Sequence, residues 1–332
     1  MKLKNIISYS VQRFHFILEF IKNNAKDNKF LGFIFKLVAP KLINYQYPIN
    51  FNIETTNACN LNCKMCPRKD SNRPVGYMSF DLFKKIIDEA KKYSPIAFSL
   101  HKDGEPLLHP DLFQMIDYIK KSNPKNIVYL TTNGVLLDEK KSRKILESGV
   151  DRFNVSIGAA KKETFKKIKG VDALEKVEEN TRRFIELKKQ ERYKTETRVQ
   201  IIKMKETIDE VDEFKNKWKK YPVQIHIWDF LNWGGAIKNE LDLGKTKKRY
   251  PCYALWFSPA INWDGRVSLC CIDWDNKLII GNVNNQSLSK IWQGEKLKEY
   301  RKLHLQGKYN QIPVCDKCNY WSWWPDIFFN KS

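Results

Sequence analysis

The chain has 332 residues, 42% hydrophobic and 29% charged, with 19 Phe and 10 Trp, which excludes a disordered chain and leaves room for one large and one smaller domain. Its formal charge of +21 would suit nucleic acid, an anionic membrane or a phosphorylated substrate. No arginine-rich tract or nucleic-acid motif accompanies it, so nucleic acid is not an expected partner, and a solvated lysine-rich surface accounts for the charge.

In chain order, residues 1–48 read as a basic amphipathic helical segment: Ile6, Ile7, Val11, Phe14, Leu18 and Ile21 recur at roughly helical spacing. Such a segment can cover one side of a barrel or lie on a membrane surface. It lacks a cleavage site, and no stretch reaches the roughly 20 apolar residues of a membrane span. A cytoplasmic protein is expected, with peripheral contact at the inner face of the membrane as a second option.

Residues 49–230 alternate between strand-like and helix-like runs. The strands are expected at 51–55, 96–100, 127–131, 152–157, 197–203 and 223–228. Helices are expected near 79–92, 110–122, 138–148, 161–189 and 207–220, with Ser79 and Asp138 as N-caps. Helices of this length between strands argue for βα units and a parallel sheet. Six strands are fewer than the eight of a closed barrel. The expected fold is α/β, a partial (β/α)6 TIM-like barrel. Residues 231–332 read as a linker, a small α+β domain with turn signals at NWDGR and GNVNN, and an aromatic tail containing Trp321, Trp323, Trp324, Phe328 and Phe329.

Seven of the eight cysteines fall into two sets. Cys59, Cys63 and Cys66 form C-x3-C-x2-C directly after the first strand. Three thiolates there can hold three corners of an iron–sulfur cubane and leave one iron open, although zinc with a distant fourth ligand has the same local signature. Cys252, Cys270, Cys315 and Cys318 supply four more thiolates, ending in C-x2-C, which suit a closed [4Fe–4S] site or structural zinc. Cys271 is left over; next to Cys270 on a strand, it should point the other way.

The run CNLNCKMC resembles the signature of the radical S-adenosylmethionine (SAM) superfamily, with Met65 where an aromatic residue is common. KDGEPLLHPDLF, with Gly104, Glu105 and Pro106, resembles that family's Gly-Gly-Glu-Pro segment, Asp103 standing for the first glycine. The resemblance implies that this edge binds the SAM amino group. It further implies cofactor contacts from Thr132 and Asn133 of TTNG and from Ser156 of NVSIGA. Arg198, on the fifth strand, is read from its place there as an anion contact at the cofactor. Gly158 replaces an aspartate common in relatives, which would open space for substrate. The stretch from Cys252 to Cys318 resembles the family's SPASM domain in its shortened twitch form, with ligand spacing like that of members that oxidise an amino-cyclitol alcohol.

The resemblance implies two [4Fe–4S] clusters, SAM, and a reducing partner such as flavodoxin or ferredoxin. The implied chemistry is formation of a 5′-deoxyadenosyl radical, hydrogen abstraction, and two-electron oxidation of an alcohol carbon on a sugar- or cyclitol-like substrate, phosphorylated and lipid-linked forms included. Peptide modification is the alternative; RNA modification and a non-catalytic metal-binding module stand behind it. No catalytic side chain is singled out.

Overall fold

The structure, a computed structural model, describes residues 47–238 and 249–323. The expected amphipathic segment lies outside them up to residue 46, as do the middle of the expected linker and, in the aromatic tail, Trp324, Phe328 and Phe329.

The first part of the chain runs β1 (Asn50–Ile53), α1 (Phe80–Ala90), β2 (Ala97–Ser99), α2 (Leu112–Ser122), β3 (Ile127–Thr132), α3 (Glu139–Glu147), β4 (Arg152–Val155), α4 (Lys162–Lys169), α5 (Leu174–Gln190), β5 (Glu196–Ile202), α6 (Val211–Trp218) and β6 (Gln224–Trp228). All six expected strands form, and each pairs in parallel with its sequence neighbour. Each crossover returns through helix, the arrangement a parallel pair requires.

Local chemistry sets the helix ends. Ser79 Oγ accepts from Leu82 N at 3.2 Å, and Asp138 Oδ1 accepts from Lys141 N at 2.7 Å. α1 then buries Phe83, Ile86, Ile87 and Ala90, a stripe at helical spacing turned onto the sheet. The expected single helix over 161–189 is two helices. Gly170 takes a left-handed φ of 79° and stops α4, a conformation that glycine adopts at little cost.

The second part contributes α7 (Ala254–Phe257), β7 (Ala260–Ile261), β8 (Arg266–Ser268), β9 (Ile279–Asn282), α8 (Leu288–Trp292), α9 (Glu295–Leu305) and α10 (Pro313–Asp316). β7 pairs in parallel with β1, while β7–β8 and β8–β9 are antiparallel. One nine-stranded sheet results, in the order β6-β5-β4-β3-β2-β1-β7-β8-β9. The sheet is not closed. Gly265, at φ 87°, turns the expected hairpin at NWDGR.

The two faces of the strands differ. In β3, Val128, Leu130 and Thr132 are buried against helices, while Tyr129 and Thr131 face the other way. The same alternation sends Asn50, Asn52, Ser99, Arg152, Asn154, Arg198, Gln200 and His226 inward. A packed TIM barrel fills its interior with branched apolar side chains. Here the interior is partly hollow, and the polar side chains the strands send inward share its wall with apolar and aromatic ones such as Ile202, Phe230 and Trp228.

Candidate active site

The loop after β1 carries Cys59, Cys63 and Cys66. It is pinned by Lys64 N donating to Ile168 O at 2.8 Å and by Trp233 Nε1 donating to Met65 O at 2.9 Å. The loop after β2 lies against it: Glu105 N donates to Ala58 O at 2.8 Å. A Cβ on Gly104 would stand 2.2 Å from Thr56 O and 2.7 Å from Ala58 O, so only glycine permits this approach. Pro106 opens the short 3-10 turn Pro106–Leu108 that follows. Glu105 Oε1 accepts from Thr132 Oγ1 at 2.8 Å and Oε2 from Asn133 N at 2.7 Å. Asn133 Nδ2 in turn donates to Asn60 Oδ1 at 2.8 Å. Gly104, Glu105 and Pro106 after β2, and Thr132 and Asn133 at the end of β3, therefore meet beside the cysteine loop that follows β1. Burial raises the pKa of the Glu105 carboxyl despite these donors.

Ser156, just past β4, accepts through Oγ from Gln200 Nε2 at 3.1 Å. Sequence reasoning missed its other neighbour. Lys169 is 4% exposed and donates from Nζ to Ser156 O at 2.9 Å. It forms no salt bridge among the described residues, although its charge acts on the Glu105 carboxyl. A signal for it existed: Lys169 lies four residues after buried Phe165, on the apolar face of α4. Gly158 does not open space for substrate. A Cβ there would meet Lys169 Cε at 2.9 Å, and φ is 90°, so the lysine occupies that space. Arg198 lines the same cavity as Ser156 and Lys169, and its Nε donates to Glu196 Oε1 at 2.6 Å. Arg152 is also paired to Glu196, at 3.2 Å.

A second missed constellation links the two parts of the chain. Arg73 grips the fully buried Glu54 through both terminal nitrogens, and its Nη1 also reaches Asp103 Oδ2 and Trp274 O, each at 3.1 Å. Lys102 Nζ donates to Asp103 Oδ2 at 2.6 Å and to Asp273 O at 3.1 Å. Burial, outweighing the two cations, pushes Asp103 up to about 6. The Asp103 side chain that departs from the family pattern is thus engaged in this network.

The second cysteine set draws in Cys252 from before α7, Cys270 from the turn after β8, Cys315 from α10 and Cys318 beyond it. Their charges act on one another, and burial raises all four thiols, Cys315 to about 12. In the first set burial likewise pushes Cys66 up to about 12. Cys270 and Cys271 lie in a turn, not on a strand, and Cys271 faces a cavity.

That cavity has a volume of about 500 Å³. Cys63, Cys66 and Met65 stand on its wall, as do Cys271, Tyr253 and Tyr320 from the second part of the chain. Tyr320–Trp323, a short 3-10 segment past the last cysteine, completes the wall. Trp323 stacks on Trp228 of β6 at 5.0 Å. Asn319 fastens this segment by reciprocal bonds with Asn232: Asn232 N donates to Asn319 Oδ1 at 3.0 Å, and Asn319 N to Asn232 Oδ1 at 3.2 Å. Trp321 faces elsewhere, against Tyr250.

A radical SAM superfamily profile matches residues 53–218, and an iron-sulfur cluster-binding domain of the SPASM type matches residues 252–319. The chain belongs to the radical SAM superfamily. Relatives include a probable GTP 3′,8-cyclase of Methanococcus maripaludis, 31% identical over 191 residues, 57% of this chain and 62% of that protein. The match thus spans about three fifths of that relative. The S-adenosyl-L-methionine-dependent 2-deoxy-scyllo-inosamine dehydrogenase of Niallia circulans is 25% identical over 275 residues, 80% of this chain and 91% of that enzyme.

Among solved structures, BtrN in complex with AdoMet and 2-DOIA aligns with TM-score 0.57 and 21% identity, over 82% of this chain and 92% of that one. SuiB of Streptococcus suis bound to precursor peptide SuiA aligns with TM-score 0.64 and 16% identity, over 86% and 73%. These likenesses establish the fold.

This radical SAM protein uses SAM and two [4Fe–4S] clusters. The residues present fit them. All eight cysteines are free of disulfides, thiolates are the donors such clusters take, and Lys169 provides a cation for a carboxylate. Among the described residues no three His, Cys, Asp or Glu side chains converge as one metal ion requires. A cubane takes its thiolates at separate corners, wider than the ligands of one ion. No described helix is long and apolar enough to cross a membrane.

Proposed function

We propose that Cys59, Cys63 and Cys66 hold the SAM-binding cluster, that Cys252, Cys270, Cys315 and Cys318 hold the auxiliary cluster, and that the enzyme oxidises an alcohol carbon of a sugar- or cyclitol-like substrate by two electrons. The observation that carries this reading is the cavity, which touches both cysteine regions and is walled by inward-facing polar side chains. When bound, SAM and the clusters supply the radical and the electron traffic.

The protein's own part is placement. Lys169 pairs with the SAM carboxylate, with Ser156 beside it. The loop of Gly104, Glu105 and Pro106, tied to Thr132 and Asn133, presents backbone oxygens to the amino group. Arg198 acts at the substrate end of the cavity, not at SAM. Three residues of the cavity wall carry polar atoms without a protein partner: Asn50 Oδ1, Asn154 Oδ1 and His101 Nδ1. Buried polar groups left this way are costly; the polar groups offered to a polyol are the inward-facing side chains that line the cavity, such as Asn52, Ser99, Thr131 and Gln200.

The lining also includes Lys102, Arg152, Lys169 and Arg198 but, among the described residues, no carboxylate. Lys102, Arg152 and Arg198 are each paired with a carboxylate behind the wall, so the lining suits a neutral polyol as well as a phosphorylated one. The likeness to the 2-deoxy-scyllo-inosamine dehydrogenase over 91% of its length supports oxidation of an alcohol carbon. The likeness to the peptide-bound SuiB is one of fold, at 16% identity.

The test is anaerobic incubation of the reconstituted enzyme with SAM, a reductant, and 2-deoxy-scyllo-inosamine or a panel of sugars, cyclitols and their phosphates. The expected result is 5′-deoxyadenosine and ketone in equal amounts. SAM consumed as a methyl donor, with no ketone from any of them, would sink the proposal.

A further inference from the structure

His304, on α9, sits inside the second cysteine set with 1% of its surface exposed. Its ring is held edge-on by Tyr309 at 5.1 Å and Trp256 at 6.5 Å. Two polar contacts fix its hydrogens. Cys252 N donates to Nδ1 at 3.2 Å. A backbone amide can only donate, so Nδ1 carries no hydrogen. The ring is then the neutral tautomer with its single N–H on Nε2. Nε2 lies 3.4 Å from Cys315 Sγ, within range of a hydrogen bond to sulfur.

We propose that His304 is a positioning residue of the auxiliary site, donating Nε2–H to Cys315 Sγ and thereby raising the reduction potential of the cluster that Cys315 helps to hold. The inference rests on the reading of Cys315 as a ligand. Hydrogen bonds to ligand sulfurs are among the levers that set cluster potentials. A donor that draws charge from the thiolate stabilises the more negative, reduced cluster. Other features of the site act in the same direction. Cys318 Sγ accepts from Tyr320 N at 3.4 Å, and the Arg249 guanidinium, anchored on Asp316 O at 2.8 Å, brings positive charge beside Cys315. A cluster tuned upward is a better electron acceptor, which is what oxidation of an alcohol asks of this site.

The test is a redox titration of the auxiliary cluster in the full-length protein, followed by electron paramagnetic resonance. The variants are His304→Leu, which removes the donor, and His304→Gln, which can restore one. Expected is a lowered midpoint potential in His304→Leu, a smaller shift in His304→Gln, and an unchanged potential for the SAM-binding cluster. Equal auxiliary potentials in wild type and His304→Leu, at full iron content, would overturn the proposal. If His304→Leu fails to hold the cluster, the wild type decides. Nitrogen coupling from ¹⁵N-histidine to the reduced auxiliary cluster is expected, is to vanish in His304→Gln, and its absence from the wild type would overturn the proposal. The ligand reading is judged separately by iron analysis of Cys315→Ala. Retention of all auxiliary iron there would remove that premise whatever His304 does.

Discussion

The barrel strands and the auxiliary region share one sheet but are held together by different means. In β1, β3, β4 and β5, alternation buries every second side chain, and the helices between them include two with side-chain caps, at Ser79 and Asp138. From β7 onward the strands span two to four residues, and side chains take over backbone duties. Asp273 accepts from Lys277 N and Leu278 N, both at 2.8 Å, and Asn262 Nδ2 donates to Arg266 O at 2.9 Å. On the proposed ligand assignment, the second cysteine set also ties this region together, whereas the first serves the chemistry. Exchanging the cysteines tests this contrast most severely. Cys63→Ala is expected to abolish SAM cleavage with near wild-type thermal stability and the auxiliary iron retained. Cys315→Ala is expected to lose auxiliary iron and melt early while still cleaving SAM. Iron analysis, a melting curve and a 5′-deoxyadenosine assay read all three.

The charged network where the regions meet offers the next largest effect. Arg73→Met leaves Glu54 buried without its main cation and takes one of two cations from Asp103, and is expected to cost about 3–5 kcal/mol, read by anaerobic denaturant titration. Lys169→Gln acts in the barrel alone. It is expected to weaken SAM binding by about 10- to 100-fold, the worth of one charged hydrogen bond, with iron content unchanged in a binding titration.

A subtler effect comes from His101, whose burial lowers its pKa to about 4. The unfolded chain binds this proton more readily, so between about pH 6.5 and 4 stability falls as pH falls. His101→Gln is expected to flatten that part of the melting temperature–pH profile. The smallest effect is at a helix end: Ser79→Ala removes the cap on Leu82 N and is expected to cost about 1 kcal/mol, again read by denaturant titration.

The contrast also explains what could be read from the sequence. Val128, Leu130 and Thr132 announce β3 by their period, and Ser79 and Asp138 announce their helices, because these signals are local. The C-x3-C-x2-C spacing of Cys59, Cys63 and Cys66 is local in the same way, lying within eight residues, and the family it points to is the one the chain belongs to. The break at Gly170 was missed because lysines on both sides sustain a helical pattern. Lys169 was hidden among other lysines, and only its register with Phe165 sets it apart. The Glu54–Arg73–Lys102–Asp103 network had no signal, since it joins the ends of different strands. Cys271 was misplaced because a strand was assumed where the chain turns.

The pairing of β1 with β7 also bears on how the molecule is made. Asn52 Nδ2 donates to Ser258 Oγ at 2.6 Å across 206 residues of chain, and Asn52 and Ile53 pair with Ala260 and Ile261. The earliest strand of the sheet therefore waits for one of the latest, a non-local closure of the kind that slows folding. Until it forms, a nascent barrel carries a bare edge at β1, open to pairing with other chains. A fragment ending after β6 keeps that edge permanently, so it would be inclined to aggregate.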